Sequence, residues 1–294
     1  MKRAVTLLKK SLFALLLMNV YNTSFAQKIN NIQTESVRPA SMVVVDGNVT
    51  EWGNLQAYNK TTRLWYTLAN DDKNIYLVIK SSNQNTNNKI LANGITLTIN
   101  TAGKKKEKGA FAIAFPAIST AGGAGRGRRK RNFGQDDAPP DSAAVLAQQK
   151  QTLATAKEIS VLGFKEITDT LISIYNEYSI KAVATFDAKG SFCYELSVPL
   201  SLLQISADGK TEIAYDLRVN GAQLGNFPGE QAKIGGRNGS SLSITGGGPG
   251  GGGNGGGFGG GFGGGSAFGK KADANPDDIT LPNDFWAKYT MATQ

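Results

Sequence analysis

Three tryptophans are the side chains of this sequence best suited to holding a sugar, because the apolar C–H face of a pyranose stacks on an indole ring. They are Trp52, Trp65 and Trp286. Trp65 lies in the alternating run 64–68 and is expected to face outward if the leucines and the tyrosine of that run face the core. Trp286 alternates in the same way in a predicted last strand, whereas Trp52 follows an Asp-Gly turn and is expected to pack against the core. Trp65 and Trp286 are therefore candidate ligand-binding residues, with packing inside the fold as the alternative for each.

Polar side chains of one predicted strand could bond the hydroxyl groups of such a ligand. Asp216, Arg218 and Asn220 alternate along the run 215–220 and would share one face of a sheet. A polar groove would use Arg218 and Asn220 as ligand-binding residues. The alternative is a solvated sheet face that carries a cross-strand ion pair.

A cluster of oxygen-bearing side chains marks the tip of a predicted hairpin. It consists of Asn70, Asp71, Asp72 and Asn74, and oxygens of this kind are ligands of calcium in proteins. A hairpin tip also selects Asn and Asp for turn formation alone. We therefore expect turn residues here and assign no metal ligand, with a calcium ion as the alternative.

Histidine is absent from the sequence, and Cys193 is its only cysteine. Without histidine, Ser-His and Cys-His nucleophiles and histidine general bases are excluded. Cys193 lies in an alternating apolar run, where a buried and inert thiol is expected. Glu195 lies in the same run and is expected to be a structural partner, since no motif places a second carboxylate beside it. The sequence thus predicts no enzymatic activity and no catalytic residue or cofactor.

Short apolar or alternating runs separated by Gly and Asx turns predict an all-β fold. The predicted strands are 42–45, 63–68, 75–80, 95–100, 110–116, 179–187, 192–198, 212–220 and a last strand over 284–289. One surface helix is predicted over 142–158 and one helical turn over 199–203. A series of short strands of this kind favours a two-sheet antiparallel β-sandwich of the immunoglobulin or jelly-roll type.

The amino terminus has the three parts of a cleavable signal peptide, which we assign to residues 1–26. Basic residues precede the apolar run 12–20, and Ser24-Phe25-Ala26 offers the small residues that a signal peptidase reads. The apolar run is shorter than the roughly 20 residues that span a bilayer. We therefore expect an exported protein, periplasmic or secreted, with no membrane span after cleavage.

A single domain is expected over residues 41–294, preceded by a flexible polar segment over 27–40. Two low-complexity insertions interrupt this domain, an Arg- and Gly-rich one at 121–140 and a Gly-rich one at 246–275. Neither offers enough apolar surface to offset the entropy lost on ordering it, so we expect both to be disordered.

Most of the net positive charge of the chain lies in one region. Residues 101–135 carry nine basic side chains against Glu107 alone, whereas the whole chain has a net charge of +9. In an exported protein, the basic run 125–131 favours an anionic polymer of the cell envelope over nucleic acid as its partner. A solvated loop without a partner is the alternative.

Three stretches of the sequence together carry a resemblance to a known family. Residues 45–52 contain a hydrophobic residue, Asp-Gly and then Glu-Trp, residues 68–79 contain an Asn-Asp-Asp-x-Asn hairpin, and residues 194–200 contain a Tyr-Glu strand that ends in proline. In this order they resemble the family 9 carbohydrate-binding modules and the related DOMON-type sandwich domains. The resemblance implies a β-sandwich, a glycan ligand and, in some modules, a calcium ion. The insertion 104–134, the helix and the glycine tract depart from the module pattern, so the resemblance bears more on fold than on function.

These observations predict an exported, non-catalytic module that holds a glycan or another small polar ligand on one face or edge of the sandwich. The alternative is a structural or protein-interaction component of the cell envelope, with the basic loop and the glycine tract as attachment elements. An enzyme would require a pair of carboxylates in a cleft, which no motif of the sequence supplies.

Overall fold

The computed structural model of the protein describes residues 29–117, 141–221 and 277–293. The strands of these ranges are β1 (Ala57–Asn59), β2 (Leu64–Asn70), β3 (Asn74–Ser81), β4 (Ile95–Asn100), β5 (Phe111–Ala117), β6 (Glu158–Leu162), β7 (Leu171–Ser173), β8 (Lys181–Phe186), β9 (Phe192–Pro199), β10 (Glu212–Val219) and β11 (Asn283–Thr290). The predicted signal peptide and the two predicted insertions at 121–140 and 246–275 lie outside the described residues.

The strands form two antiparallel sheets that pack as a sandwich. The five-stranded sheet has the order β1-β2-β3-β9-β8, and the six-stranded sheet has the order β11-β10-β4-β5-β6-β7. Each sheet thus combines strands that are distant in sequence, as β3 with β9 and β4 with β10. The predicted all-β, two-sheet antiparallel sandwich is confirmed.

Side-chain alternation along the strands separates a core from two outer faces. The largest core side chains with under 2% exposure include Tyr66, Leu68, Leu77, Ile79, Tyr194, Ile95 and Tyr215, which come from both sheets. Residues between them in the sequence point away from the core. The parity of a residue along its strand therefore decides whether it faces the core or the outer face of its own sheet.

Two helices are present in the described ranges, although the sequence predicts only one. The helix α1 (Gln84–Asn93) connects the two sheets, and Ile90 and Leu91 bury its apolar side in the core. It was missed because its sequence, rich in Asn and Gln, lacks a helical apolar pattern. The helix α2 (Ser142–Ala154) is confirmed with Asp141 as its cap, but it ends before the predicted residue 158, where β6 begins.

Other predicted elements also differ from the structure in detail. Residues 42–45, predicted as a strand, have no strand partner within the described part of the chain. Their composition favours a strand, but composition does not supply a neighbour to pair with. The short strands β1, β6 and β7 were missed, since three to five residues are too few for a periodic pattern.

Residues 29–37, which we call the N-terminal strap, lie against the sandwich. The side-chain amide of Gln33 donates to the carbonyl of Leu68 at 2.7 Å and accepts from its N–H at 2.8 Å. The N–H of Gln33 donates to the hydroxyl of Tyr66, and the N–H of Val37 donates to the hydroxyl of Tyr289 on β11. Part of the segment predicted to be flexible thus bonds to strands of both sheets.

No helix among the described residues is both long and apolar enough to cross a bilayer.

Candidate binding cleft

A cleft of about 830 Å³ opens on the outer face of the five-stranded sheet. It is lined by Ile29, Asn30, Gly53, Asn54, Leu55, Gln56, Trp65, Lys80 and Ser82. Strands β2 and β3 supply its floor, and the chain before β1 supplies one side. Its volume falls within the range of roughly 300 to 1,000 Å³ that is usual for small-molecule sites.

Trp65 and Lys80 of the cleft floor lie in a cross-strand row that begins with Tyr58 of β1, outside the cleft lining. Tyr58 of β1 pairs with Trp65 of β2, and Trp65 pairs with Lys80 of β3. The rings of Tyr58 and Trp65 lie 5.0 Å apart, so the indole is held by a neighbouring ring while it lines the cleft. The predicted outward orientation of Trp65 is confirmed, because its neighbours Leu64 and Tyr66 are fully buried in the core.

One side of the cleft is formed by residues 53–56, which we call the cleft wall. The wall follows a short 3-10 turn (Val49–Trp52), and Gly53 has a φ of 62°, a left-handed conformation that favours glycine. At its far end the N–H of Gln56 donates to the hydroxyl of Thr67 at 3.0 Å. The wall is thus fixed to β2 at one end and to the 3-10 turn at the other.

The 3-10 turn packs on the outer face of the five-stranded sheet and not on the main core. Val49 and Trp52 contact Val78 and Cys193 in a separate apolar cluster, which also includes Leu55. Trp52 was predicted to pack against the core, and the structure places its packing in this smaller cluster. Cys193 is a buried free thiol as predicted, and burial raises its pKa, which disfavours the reactive thiolate.

Glu195 of β9 fixes the loop that leads into the cleft wall. One carboxylate oxygen accepts from the N–H groups of Asp46 (3.0 Å) and Gly47 (2.7 Å), and the other accepts from the indole N–H of Trp52 (2.6 Å). Gly47 has a φ of 86° and a Cβ there would lie 2.6 Å from Thr185, so only glycine fits this approach. The predicted structural role of Glu195 is confirmed.

The only charged side chain that lines the cleft within the described residues is balanced by a partner. Lys80 Nζ lies 3.0 Å from a carboxylate oxygen of Asp187. Burial alone would raise the pKa of Asp187, but hydrogen bonds from Lys80 and from the N–H of Ser191 hold it below its ordinary value of 3.8. Asp187 is therefore ionised at neutral pH, and the pair adds no net charge to the cleft.

Trp286 and Arg218, the other predicted ligand-binding residues, lie on the outer face of the six-stranded sheet. Trp286 of β11 pairs with Asp216 of β10, and its neighbours Phe285 and Ala287 pack toward the core. A guanidinium nitrogen of Arg218 lies 2.9 Å from Glu107 and 3.3 Å from Asp216. Trp65 is therefore separated by the thickness of the sandwich from both of them.

Asn220 has a structural position at the end of β10. Its side-chain oxygen accepts from the hydroxyl of Thr96, and its side-chain nitrogen donates to the carbonyl of Asn93. Its own N–H donates to the carbonyl of Gly94, so Asn220 secures the end of α1. The structure does not bring it together with Trp65.

The hairpin tip that suggested calcium uses its oxygens in other ways. The side-chain oxygens of Asn70 and Asp71 accept from backbone N–H groups and from tyrosine hydroxyls, and one of these donors is the N–H of Asn74. Asp72 forms an ion pair with Arg38 at 2.7 Å. Among the described residues, no group of three or more Cys, Asp or Glu side chains could hold a metal ion. Turn formation and the ion pair with Arg38 therefore use side-chain oxygens of Asn70, Asp71 and Asp72.

Lys80 and the cleft wall were not predicted as site residues. The register of the hairpin formed by β2 and β3 could have located Lys80, because Trp65 faces it directly across the strands. The wall had no such signal, since its position depends on Glu195, 143 residues from Trp52 in sequence.

The three sequence stretches that resemble carbohydrate-binding modules meet in one place. Asp46, Gly47 and Trp52 belong to the first stretch, the strand β3 to the second, and Glu195 to the third. A scan against protein-family models and a search among curated proteins give no match to this chain. The structure shows two antiparallel sheets packed as a sandwich. Because neither search finds a match, no family is assigned to the chain here.

Proposed function

We propose that this chain is an exported, non-catalytic binding module, related to the family 9 carbohydrate-binding modules, that holds a glycan in the Trp65 cleft. The observation that carries the proposal is the composition of the cleft itself. The outward-facing Trp65 lines a single cavity of about 830 Å³ together with Asn30, Asn54 and Gln56, three residues that carry side-chain amides.

This combination fits the two surfaces of a sugar ring. The indole of Trp65 offers a flat apolar face to the C–H side of a pyranose. The amide groups of Asn30, Asn54 and Gln56, with the hydroxyl of Ser82, offer donors and acceptors to the sugar hydroxyls. A few polar groups around an apolar surface are the usual design of a small-molecule site.

The charge of the cleft favours a neutral glycan. Lys80 is the one ionic side chain that lines it among the described residues, and Asp187 balances its charge. An acidic sugar would have to compete with Asp187 for the ammonium group. A neutral sugar meets no uncompensated charge.

The direct test is the affinity of the purified chain for neutral and uronate-containing oligosaccharides on a glycan array, followed by calorimetry. We expect Trp65→Ala to weaken binding of a neutral glycan roughly tenfold, because ring stacking contributes about 1.5 kcal/mol. Trp286→Ala is the matched control and should leave the affinity unchanged, since Trp286 lies on the other outer face.

Two results would contradict the proposal. One is loss of binding in Trp286→Ala with full binding in Trp65→Ala, when circular dichroism shows both variants folded. The other is binding of uronates alone, abolished by salt. Chain-length analysis of the recovered oligosaccharide checks the non-catalytic part, and shortened products would disprove it.

A protein-interaction role in the cell envelope is the second candidate, favoured by the segment before the Asp46-Gly47 turn. Met42 is 90% exposed and Val44 is 57% exposed, and residues 42–45 have no strand partner in the described ranges. A photo-crosslinker at position 42 would trap an envelope partner if this role is correct. Recovery of the uncrosslinked chain alone would exclude it.

The basic region adds an anionic envelope polymer as a proposed partner. Its described part is the connection between β4 and β5, where Lys104, Lys105, Lys106 and Lys108 are exposed while Glu107 pairs with Arg218. Export itself remains a proposal, since residues 1–26 lie outside the described ranges. Amino-terminal sequencing of the chain from periplasm or medium should begin at or near Gln27.

A further inference from the structure

Glu195 is a buried residue whose side-chain hydrogen bonds, within the described ranges, all reach the loop 46–56. It is 1% exposed, and its donors are two backbone N–H groups and the indole N–H of Trp52. An ionised carboxylate is unfavourable in such a place unless donors satisfy it. Here three N–H donors converge on its two oxygens, so the loop and the carboxylate stabilise each other.

The loop that Glu195 holds continues directly into the cleft. Trp52 is followed by the cleft wall, residues 53–56, all four of which line the cavity. The wall is fixed at its far end by the bond from Gln56 N–H to Thr67. At its near end Gly53 N–H donates to the carbonyl of Thr50 in the 3-10 turn, and the bond from Trp52 to Glu195 holds that turn on the sheet. Glu195 itself does not line the cleft.

We propose that Glu195 is the positioning residue of the cleft, which holds the wall at the separation from Trp65 that a bound ligand requires. The inference rests on the proposed function and adds to it that affinity depends on a residue outside the site. A wall fixed before binding loses less conformational entropy when the ligand arrives. Release of its near end would therefore weaken binding even though every side chain that lines the cleft is retained.

The substitution Glu195→Gln tests the bond to Trp52 separately from the bonds to Asp46 and Gly47. A glutamine has one side-chain oxygen, which can keep the N–H donors of Asp46 and Gly47. Its NH₂ group then faces the indole N–H of Trp52, and two donors cannot bond each other. The variant is expected to keep the Asp46-Gly47 turn and to release Trp52 with the near end of the wall.

A double-mutant cycle on glycan affinity tests the proposal. We expect Glu195→Gln to weaken binding roughly tenfold, because a wall released at its near end must be ordered again when the ligand binds. Trp52→Phe removes the indole N–H donor and keeps a six-membered aromatic ring. It should also weaken binding. The affinity of the double variant should equal that of the single variant with the lower affinity, because both changes break the same contact.

A control carboxylate separates positioning from general stability. Asp208 also accepts from two backbone N–H groups, of Lys210 and Thr211, but it lies in the turn before β10 of the other sheet. Asp208→Asn should leave glycan affinity unchanged. Wild-type affinity in Glu195→Gln, or losses of Glu195→Gln and Trp52→Phe that add in the double variant, would overturn the proposal.

Amide hydrogen exchange keeps the inference testable if wild-type chain binds no glycan, a result that would overturn only the proposed function. In folded Glu195→Gln, the indole N–H of Trp52 and the amides of 53–56 should exchange faster, while those of β2 are unchanged. Unchanged exchange in the wall would overturn the positioning role. If Glu195→Gln does not fold, Trp52→Phe gives the same exchange test with the carboxylate retained.

Discussion

Trp52 and Trp65 both lie on the outer side of the five-stranded sheet, but their surroundings give the two indole rings different roles. The indole N–H of Trp52 donates to Glu195, and its ring lies 6.0 Å from that of Tyr76. Trp65 lines the cleft beside Tyr58. The orientation of Trp65 follows from strand alternation and was predictable from sequence. The partner of Trp52 was not, because no local pattern pairs residues that are 143 positions apart.

Lys89 is a second residue whose role could not be predicted from the sequence. It lies on the polar-looking helix α1, but only 2% of it is exposed. Its ammonium group donates to the carbonyl of Asp278 at 2.9 Å and also to Leu281 and Asn283. Burial lowers its pKa, an effect that Asp278 and Asp277 partly offset. The polar sequence around Lys89 predicts an exposed side chain. Its burial results from the tertiary contacts with the segment that leads into β11.

Asp71 gives a pH prediction for stability at the residue scale. Burial would raise its pKa, but the hydroxyl of Tyr76, the N–H groups of Lys73 and Asn74 and the charge of Arg38 hold it below 3.8. A carboxylate with a lowered folded-state pKa stabilises the protein above its unfolded pKa and loses that effect as pH falls through the folded pKa. Asp71→Asn should therefore lower the free energy of unfolding by about 1 kcal/mol at pH 7.

Urea denaturation of wild type and Asp71→Asn at pH 7 and at about pH 2.5 measures this effect. The difference between the two proteins should shrink at the acid pH, because the contribution of the ionised Asp71 is lost progressively as the pH falls toward and through its lowered pKa. An equal difference at both pH values would show that the charge of Asp71 does not carry its contribution.

At the scale of elements, predictability followed the length and regularity of each strand. The hairpin of β2 and β3 and the strands β4, β9 and β10 were predicted within a few residues, because each has at least six residues of apolar or alternating pattern. The helix α1 and the strands β1, β6 and β7 lack such a pattern. They form because the sandwich offers each a partner or a core to cover, which is information outside the segment itself.

The N-terminal strap is an element whose role only the structure shows. The amide of Gln33 bonds both the N–H and the carbonyl of Leu68, at a point on β2 beyond the residues that pair with β1. One side chain thus takes the place of a neighbouring strand. Gln33→Ala should lower the free energy of unfolding by roughly 2 to 4 kcal/mol, because two backbone groups lose their partners.

The control for the strap is Gln151→Ala on the exposed face of α2. This variant should stay within about 0.5 kcal/mol of wild type, as surface substitutions do. Both values follow from urea denaturation at neutral pH. A Gln33→Ala variant as stable as Gln151→Ala would show that the strap does not contribute to the stability of the sandwich.

At the scale of the whole molecule, the sandwich separates the predicted ligand residues into two groups. Trp65 lies on the outer face of the five-stranded sheet, and Trp286 and Arg218 lie on the outer face of the six-stranded sheet. Two packed sheets are about 10 Å apart, so a small ligand cannot contact both groups. The sequence predicted that both indoles point outward but not that they point in opposite directions, because the assignment of strands to sheets depends on long-range pairing.

The most direct test of the account is an NMR titration of the ¹⁵N-labelled chain with a neutral oligosaccharide chosen on the glycan array. The three indole N–H signals are assigned with single Trp→Phe variants. We expect the Trp65 signal to shift and saturate with the Kd that calorimetry gives, while the Trp286 signal stays in place. A titration in which Trp286 shifts and Trp65 does not would contradict binding in the Trp65 cleft.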